Sequence, residues 1–182
     1  MNTLLVSTLF KLLLPSFAVA MMLLVAKHRR LSFAADIGIR LPKIGVTVAF
    51  LIAWVCLIAI EEVITSSVAD AQAKTWPKFP VYIVALRIFA IGIIGPIAEE
   101  LAFRGLLMAV IRQTRLGVVG AILFTAALWS AIHFGYSAPL ILLVLFDGIV
   151  LGAARHFSRS LWVPIAMHIG GNLFSIWQSL TW

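Results

Sequence analysis

The sequence predicts an all-α fold: a polytopic membrane helical bundle of about six transmembrane helices, one of them kinked or broken near Gly95-Pro96. The 182 residues are 63% hydrophobic and only 12% charged, whereas soluble domains are about 25% charged. The apolar residues also form runs of about 20 residues, the length that spans a bilayer. We therefore expect a single integral membrane domain over residues 1–182.

The charge pattern indicates membrane orientation rather than nucleic-acid binding. Lys and Arg number 14 against seven Asp and Glu, and they lie in short segments between the apolar runs. Short basic loops of this kind stay on the cytoplasmic side of a membrane. We expect the lipid bilayer as a partner and no nucleic acid.

The first two spans are predicted at 3–26 and 44–60. Ala18-Val19-Ala20 resembles a signal-peptidase site, but no basic residue precedes the apolar run, so we interpret this run as a membrane helix. The basic segment 27–43 follows it and is expected in the cytoplasm. The second span is expected to stop at Glu61-Glu62, where a hydrophilic connection begins and continues to residue 80.

The third apolar stretch, 81–115, has a helical pattern but is too long for one straight span. Gly92, Gly95 and Pro96 offer a break, because Pro is well placed at the start of a renewed helix. We therefore expect Glu99 and Glu100 in the first turn after an irregularity.

Three further spans are predicted at 118–134, 140–154 and 161–180. Even numbers of spans separate the basic segments 27–43, 112–115 and 155–159, so all three can lie on one side of the membrane. Both chain ends are then expected on the other side.

The most unusual charged stretch lies inside the third apolar run. Ionisable residues at membrane depth are costly unless they are paired or face a polar cavity, so they indicate a functional site. Glu100 and Arg104 are four residues apart and share a helix face, so they can form an ion pair. Glu99 points about 100° away and is free for another role. The alternative is a purely structural ion pair.

Three more polar side chains lie in the later spans and have the properties needed to hydrolyse an amide bond. A glutamate withdrawn from water, such as Glu99, is suited to act as a general base, and His133 could position the same water molecule. His168 and Asn172 are four residues apart on one helix face and could stabilise an oxyanion. Asp147 fits none of these roles and is interpreted as a hydrogen-bonding residue between helices.

Three motifs carry a resemblance to a known family. These motifs are Glu99-Glu100-x-x-x-Arg104, the aromatic-x-x-x-His of Trp129 to His133, and His168-x-x-x-Asn172. They resemble the motifs of the CPBP family of intramembrane glutamic endopeptidases, which groups CAAX prenyl-protein proteases with bacteriocin-processing and immunity proteins. The resemblance covers about residues 33–175.

The resemblance implies an intramembrane endopeptidase that requires no metal or other cofactor. Glu99 and His133 would activate water, His168 and Asn172 would stabilise the oxyanion, and Glu100 with Arg104 would support them. The implied substrate is a membrane-anchored protein or peptide, such as a carboxy-terminal sorting or anchor segment. The implied location is the inner (plasma) membrane of a prokaryotic cell. Trp129 departs from the Phe that usually begins the second motif.

Three alternatives remain open at this point. A protein of the same fold could bind a peptide or confer bacteriocin immunity without cleaving it. A zinc protease could use His133, His168 and a glutamate, although the sequence contains no HExxH motif. A proton-coupled transporter could use Glu99, Asp147 and the histidines as a relay, although no internal repeat is evident.

Overall fold

The computed structural model describes residues 2–65 and 80–181, and it describes the side chains of residues 5–65 and 80–180. Within these ranges all the regular secondary structure is helical. Six main helices follow one another: α1 Asn2–His28, α2 Ile44–Thr65, α3 Val81–Ile111, α4 Gly117–Ala131, α5 Ala138–Ser158 and α6 Trp162–Thr181. The predicted hydrophilic connection lies largely at residues 66–79, outside the described residues.

The helices have the length and composition of a membrane bundle. Among the described residues, α1, α2, α3 and α5 are long and apolar enough to cross a membrane, and α4 is apolar but shorter, at 15 residues. Large apolar side chains on α1, such as Phe10 and Leu14, are 67% and 66% exposed, as expected of a surface that faces lipid rather than water. The predicted all-α membrane bundle is confirmed.

The second helix continues beyond its predicted end. It runs to Thr65, so Glu61 and Glu62 lie in its last turns rather than in a loop. The Gln178 amide donates to Glu62 Oε2 at 2.6 Å. The carboxyl group of Glu61 lies beside that of Asp147 on α5, and among the described residues its Oε1 atom is buried without a hydrogen-bond partner. Both acidic side chains thus meet later helices of the bundle, and α2 extends past them.

The predicted irregularity in α3 is present, and the backbone stays helical through it. Residues Ala90–Ile94 form a π-helical stretch directly before Pro96, and a second one covers Leu101–Leu107. The α-helical segment Gly95–Glu100 lies between them and carries both glutamates. Such π-helical segments are frequent at functional sites.

Small residues allow α4 and α5 to pack closely. A Cβ atom added at Gly148 would lie 2.9 Å from Ala126 Cβ, and one added at Gly152 would lie 3.0 Å from Ile122 Cγ2. Close approach through small residues is how helices associate in a membrane, where the hydrophobic effect does not drive them together. The approach brings Gly148 against Trp129 and thereby determines one wall of the site.

The basic segments meet at one end of the bundle. A short π-helical turn, Phe33–Ile37, follows α1. Its Asp36 binds Arg112 at the end of α3 at 3.0 Å, and its backbone carbonyl oxygen accepts from Arg155 near the end of α5 at 2.9 Å. The predicted grouping of the three basic segments on one side agrees with these contacts.

Candidate active site

The two adjacent glutamates of α3 have different environments. Glu100 is fully buried, whereas the side chain of Glu99 is 32% exposed. The difference follows from the helix, because consecutive side chains point in directions about 100° apart. Glu99 is therefore the accessible carboxylate of the pair.

Glu100 belongs to a buried ion-pair network. Its Oε1 atom accepts from Arg104 Nη1 at 2.9 Å and from His168 Nδ1 at 3.0 Å. Arg104 is also fully buried, and its Nη2 atom donates to the Gly148 carbonyl oxygen at 3.1 Å. The guanidinium carbon lies 4.7 Å from the centre of the Trp129 ring, within cation–π range. Arg104 thus links α3 to α4 and α5.

Glu99 is held by the indole of Trp129. The Trp129 Nε1 atom donates to Glu99 Oε2 at 2.6 Å. The same carboxylate oxygen lies 3.9 Å from His168 Nε2, which is beyond direct hydrogen-bonding distance but close enough for electrostatic contact. Glu99 is thereby fixed beside the His168 ring while part of its side chain stays accessible.

His133 lies in the turn just after α4. Its Nδ1 atom is 2.9 Å from the Trp129 carbonyl oxygen, and its ring packs edge-on against the Trp129 ring at 5.1 Å. Since a carbonyl oxygen only accepts, Nδ1 carries the hydrogen, and Nε2 of a neutral ring is left as an acceptor. Tyr136 also packs against the His133 ring, with the ring centres 5.4 Å apart.

Asn172 satisfies a backbone group that the π-helical stretch leaves open. The Gly95 N–H binds the Ala90 carbonyl oxygen, and Pro96 has no N–H with which to bind Ile91. The Asn172 Nδ2 atom donates to the Ile91 carbonyl oxygen at 2.9 Å. An amide nitrogen has two hydrogens, so one donor remains for another ligand.

The structure connects the predicted site residues to different degrees. Glu99, Glu100, Arg104 and His168 are in direct contact or within 3.9 Å of one another along the network. His133 joins them through Trp129, whose ring lies 5.2 Å from that of His168. Asn172 reaches α3 at a backbone carbonyl, about two turns before Glu99.

Sequence reasoning missed two participants. The side chain of Trp129 was treated only as the start of a motif, yet it bonds Glu99 and contacts both histidines. The Ile91 carbonyl was not considered at all. Its signal was present in the sequence, because a proline in a helix leaves a preceding carbonyl without its usual donor.

The described part of the chain contains no group of three His, Cys, Asp or Glu side chains arranged to hold a metal ion. The polar groups of the site are two carboxylates, a guanidinium, two imidazoles, an indole and an amide.

Comparison with known proteins shows the family. A family model described as type II CAAX prenyl endopeptidase, Rce1-like, matches residues 80–174. This chain belongs to the Rce1-like family. The matched residues include every predicted site residue from Glu99 to Asn172, and the earlier resemblance to the CAAX proteases is confirmed. No curated protein and no solved structure gave a match. The Rce1-like chain is thus an integral, multi-pass membrane protein of the CAAX-type intramembrane proteases.

Proposed function

We propose that this Rce1-like chain is a metal-independent, glutamic-type endopeptidase that cleaves a membrane-associated protein substrate. The proposal rests on one observation, the different environments of two neighbouring glutamates. Glu100 is fully buried in an ion pair, and Glu99 is partly exposed and held by Trp129 beside His168. A general base must be reachable by water and held in place, and Glu99 meets both requirements.

The first proposed step is water activation by Glu99 and His133. Glu99 takes a proton from water, and the oxygen attacks the carbonyl carbon of the scissile amide. The second O–H of that water stays intact and donates a hydrogen bond to Nε2 of His133, whose Nδ1–H is committed to the Trp129 carbonyl oxygen. Glu99 then gives its proton to the leaving amine as the C–N bond breaks, which regenerates the carboxylate.

His168 and Asn172 are proposed to stabilise the oxyanion. Asn172 retains one N–H beyond its bond to Ile91. In the imidazolium form of His168, Nε2 can donate to the oxyanion while Nδ1 stays bonded to Glu100. Removal of one such donor has cost about 100-fold to 1,000-fold in kcat in a well-studied protease.

Glu100 and Arg104 are proposed to position the other groups. The carboxylate of Glu100 accepts from the His168 ring, and Arg104 pairs with that carboxylate and packs on the Trp129 ring. These two buried residues therefore orient the histidine of α6 and the tryptophan of α4. Neither is proposed to touch the substrate.

The substrate is proposed to be an anchored protein tail, such as a carboxy-terminal sorting or anchor segment, in the inner membrane of a prokaryotic cell. The location of His133 supports cleavage in the outer half of the bilayer if the basic loops are cytoplasmic. The helix α4 begins beside the basic segment 112–115 and has 15 residues. At 1.5 Å per residue it carries the chain about 22 Å away from that segment before His133.

The test compares the termini of membrane proteins from three strains. One strain carries the native chain, one carries Glu99→Gln and one carries Glu62→Gln. The last variant is the matched control, because it makes the same change at an exposed glutamate outside the site. Protein termini that appear with the native chain and with Glu62→Gln, but not with Glu99→Gln, would support proteolysis. A chelator should leave these termini unchanged, since no metal takes part in the proposed mechanism.

The opposite result would favour a different function. If all three strains give identical termini while the proteins are folded and equally abundant, the endopeptidase proposal fails. A protein that binds a peptide or confers immunity without cleavage would then be favoured.

A further inference from the structure

A second polar site lies at the basic end of the bundle. An open cavity of about 290 Å³ is lined by residues of the turn Phe33–Ile37, the last turns of α3 and the end of α5. Its polar and charged lining consists of Asp36, Arg40, Arg112, Arg155, His156 and Arg159. Arg104 also lines the cavity, but its charge is paired with Glu100.

Positive charge in this cavity exceeds the negative charge supplied by its lining. Asp36 is the one carboxylate among the described lining residues. Its Oδ1 atom is bonded to Arg112 at 3.0 Å, and its Oδ2 atom accepts from the Ser32 backbone N–H at 2.9 Å. The carboxylate therefore neutralises one arginine and leaves three others. The negative end of the α5 dipole offsets only about half of one charge.

Arg155 is the least accessible of these arginines. It is 5% exposed, and the charges of Arg112 and Arg40 repel it while Asp36 attracts it. Its Nη2 atom donates to the Asp36 carbonyl oxygen, but within the described residues its Nε atom has no hydrogen-bond partner. A buried guanidinium among like charges is costly without an anion.

The loop around this arginine is shaped to hold it. Gly38 has a left-handed backbone with φ of 86°, and a Cβ atom there would lie 2.4 Å from Arg155 Cζ. Glycine thus permits both the turn and the contact. Arg40 fixes the other side of the cavity, because its Nε donates to the Arg159 carbonyl oxygen at 2.9 Å.

The cavity lies near the depth at which lipid phosphates occur. Trp162 begins α6 three residues after Arg159 and is 48% exposed, and tryptophans of this kind are enriched at the headgroup level. Arginine forks match the oxygen atoms of a phosphate in pairs. We propose that this cavity binds a phosphate group, supplied by the headgroup of an anionic phospholipid or by free phosphate.

The test uses the full chain purified in an uncharged detergent and freed of lipid. The probes are dioleoylphosphatidylglycerol and inorganic phosphate, binding is measured by native mass spectrometry, and the thermal unfolding midpoint is recorded. The cavity variant is Arg112→Gln with Arg159→Gln. The control variant is Arg29→Gln with Arg115→Gln, which removes the same charge from exposed residues at the same end that do not line the cavity.

If the phosphate group belongs to a lipid, phosphatidylglycerol should bind the native chain and the control variant at least about tenfold more tightly than it binds the cavity variant. This difference corresponds to the loss of charge-assisted hydrogen bonds. Inorganic phosphate would not displace the lipid. If the cavity binds free phosphate instead, inorganic phosphate should raise the thermal unfolding midpoint of the native chain and the control variant only. Phosphatidylglycerol should then bind the native chain, the control variant and the cavity variant equally.

Equal binding of both probes to all three proteins would overturn the proposal. The arginines would then serve only to hold the segment after α1 against α5. If the cavity variant fails to fold, the single variant Arg159→Gln replaces it in both measurements. Its side chain is exposed, and the carbonyl oxygen that accepts from Arg40 is retained.

Discussion

Trp129 donates its indole N–H to the Oε2 atom of Glu99 at 2.6 Å, so the proposed general base is positioned by a side chain of a neighbouring helix. We expect Trp129→Phe to keep the aromatic packing and lose this bond. Hydrogen bonds to charged groups contribute about 1.5–3 kcal/mol, so kcat should fall by about 10-fold to 100-fold. The measurement is the cleavage rate on a substrate identified from the terminus comparison.

The matched comparison for that prediction is Trp129→Ala. Trp129 is 4% exposed, so its truncation leaves a cavity and should cost about 3–5 kcal/mol of stability. Trp129→Phe should lower the unfolding temperature less than Trp129→Ala, because it keeps most of the ring packing. A Phe variant with native kcat would show that the indole bond does not position Glu99.

The buried pair of Glu100 and Arg104 gives a prediction on stability. Arg104→Met leaves the Glu100 carboxylate without its cation, and loss of one partner of a buried ion pair costs about 3–5 kcal/mol. Adding Glu100→Gln removes the uncompensated charge, so the double variant should unfold at a higher temperature than Arg104→Met alone. Thermal unfolding in detergent measures both, with Arg115→Met as an exposed control. A double variant less stable than the single one would contradict this account.

The contact between Glu61 of α2 and Asp147 of α5 gives a further prediction. The two carboxyl groups lie side by side, and within the described residues Glu61 Oε1 and Asp147 Oδ1 are buried without a hydrogen-bond partner. Asp147→Asn supplies N–H donors and should keep the unfolding temperature close to native. Asp147→Val supplies none and should lower stability by about 1–3 kcal/mol. Equal unfolding temperatures for the two variants would show that a hydrogen-bonding side chain at position 147 does not stabilise the bundle.

Much of the fold could be predicted from the sequence, because membrane helices are encoded by runs of apolar residues. The predicted span 81–115 and the irregularity before Pro96 correspond to α3 Val81–Ile111 and its first π-helical stretch. The predicted end of α2 at Glu61-Glu62 was wrong, because the helix continues to Thr65. The partners that allow the helix to continue, Asp147 and Gln178, are distant in sequence.

The site could be predicted in part, for the same physical reason. The pairing of Glu100 with Arg104 follows from helical spacing, and the structure contains it. The bond from His168 to Glu100 joins residues 68 positions apart, and no local pattern specifies it. The catalytic roles of Glu99, His133, His168 and Asn172 stay predictions until variants are measured.

The orientation of the bundle can be tested directly. Alkaline phosphatase, which is active only outside the cytoplasm, would be inserted after Tyr136 in one protein and after Arg115 in another. The basic segment around Arg115 should be cytoplasmic, so the second insertion should be inactive. The first should be active, because α4 separates the two positions. Activity after Arg115 with none after Tyr136 would reverse the orientation and place the proposed site toward the cytoplasm.

The contact between Asn172 and Ile91 gives the sharpest stability test, because the sequence contains its cause. Pro96 lacks the N–H that would otherwise be available to the Ile91 carbonyl oxygen, and Asn172 supplies the missing donor at 2.9 Å. Asn172→Ala should therefore leave a partly buried acceptor unsatisfied and cost about 1 kcal/mol, the lower end of the range for buried groups. Pro96→Ala restores a backbone N–H, so Asn172→Ala should cost less in that background.

The native chain, the two single variants and the double variant form a double-mutant cycle, and thermal unfolding measures the stability of each. If Asn172→Ala costs the same with and without Pro96, the amide does not compensate for the proline. If Asn172→Ala instead costs less without Pro96, and Pro96→Ala alone still cleaves, loss of cleavage in the Pro96→Ala, Asn172→Ala protein would assign the second N–H of Asn172 to the oxyanion.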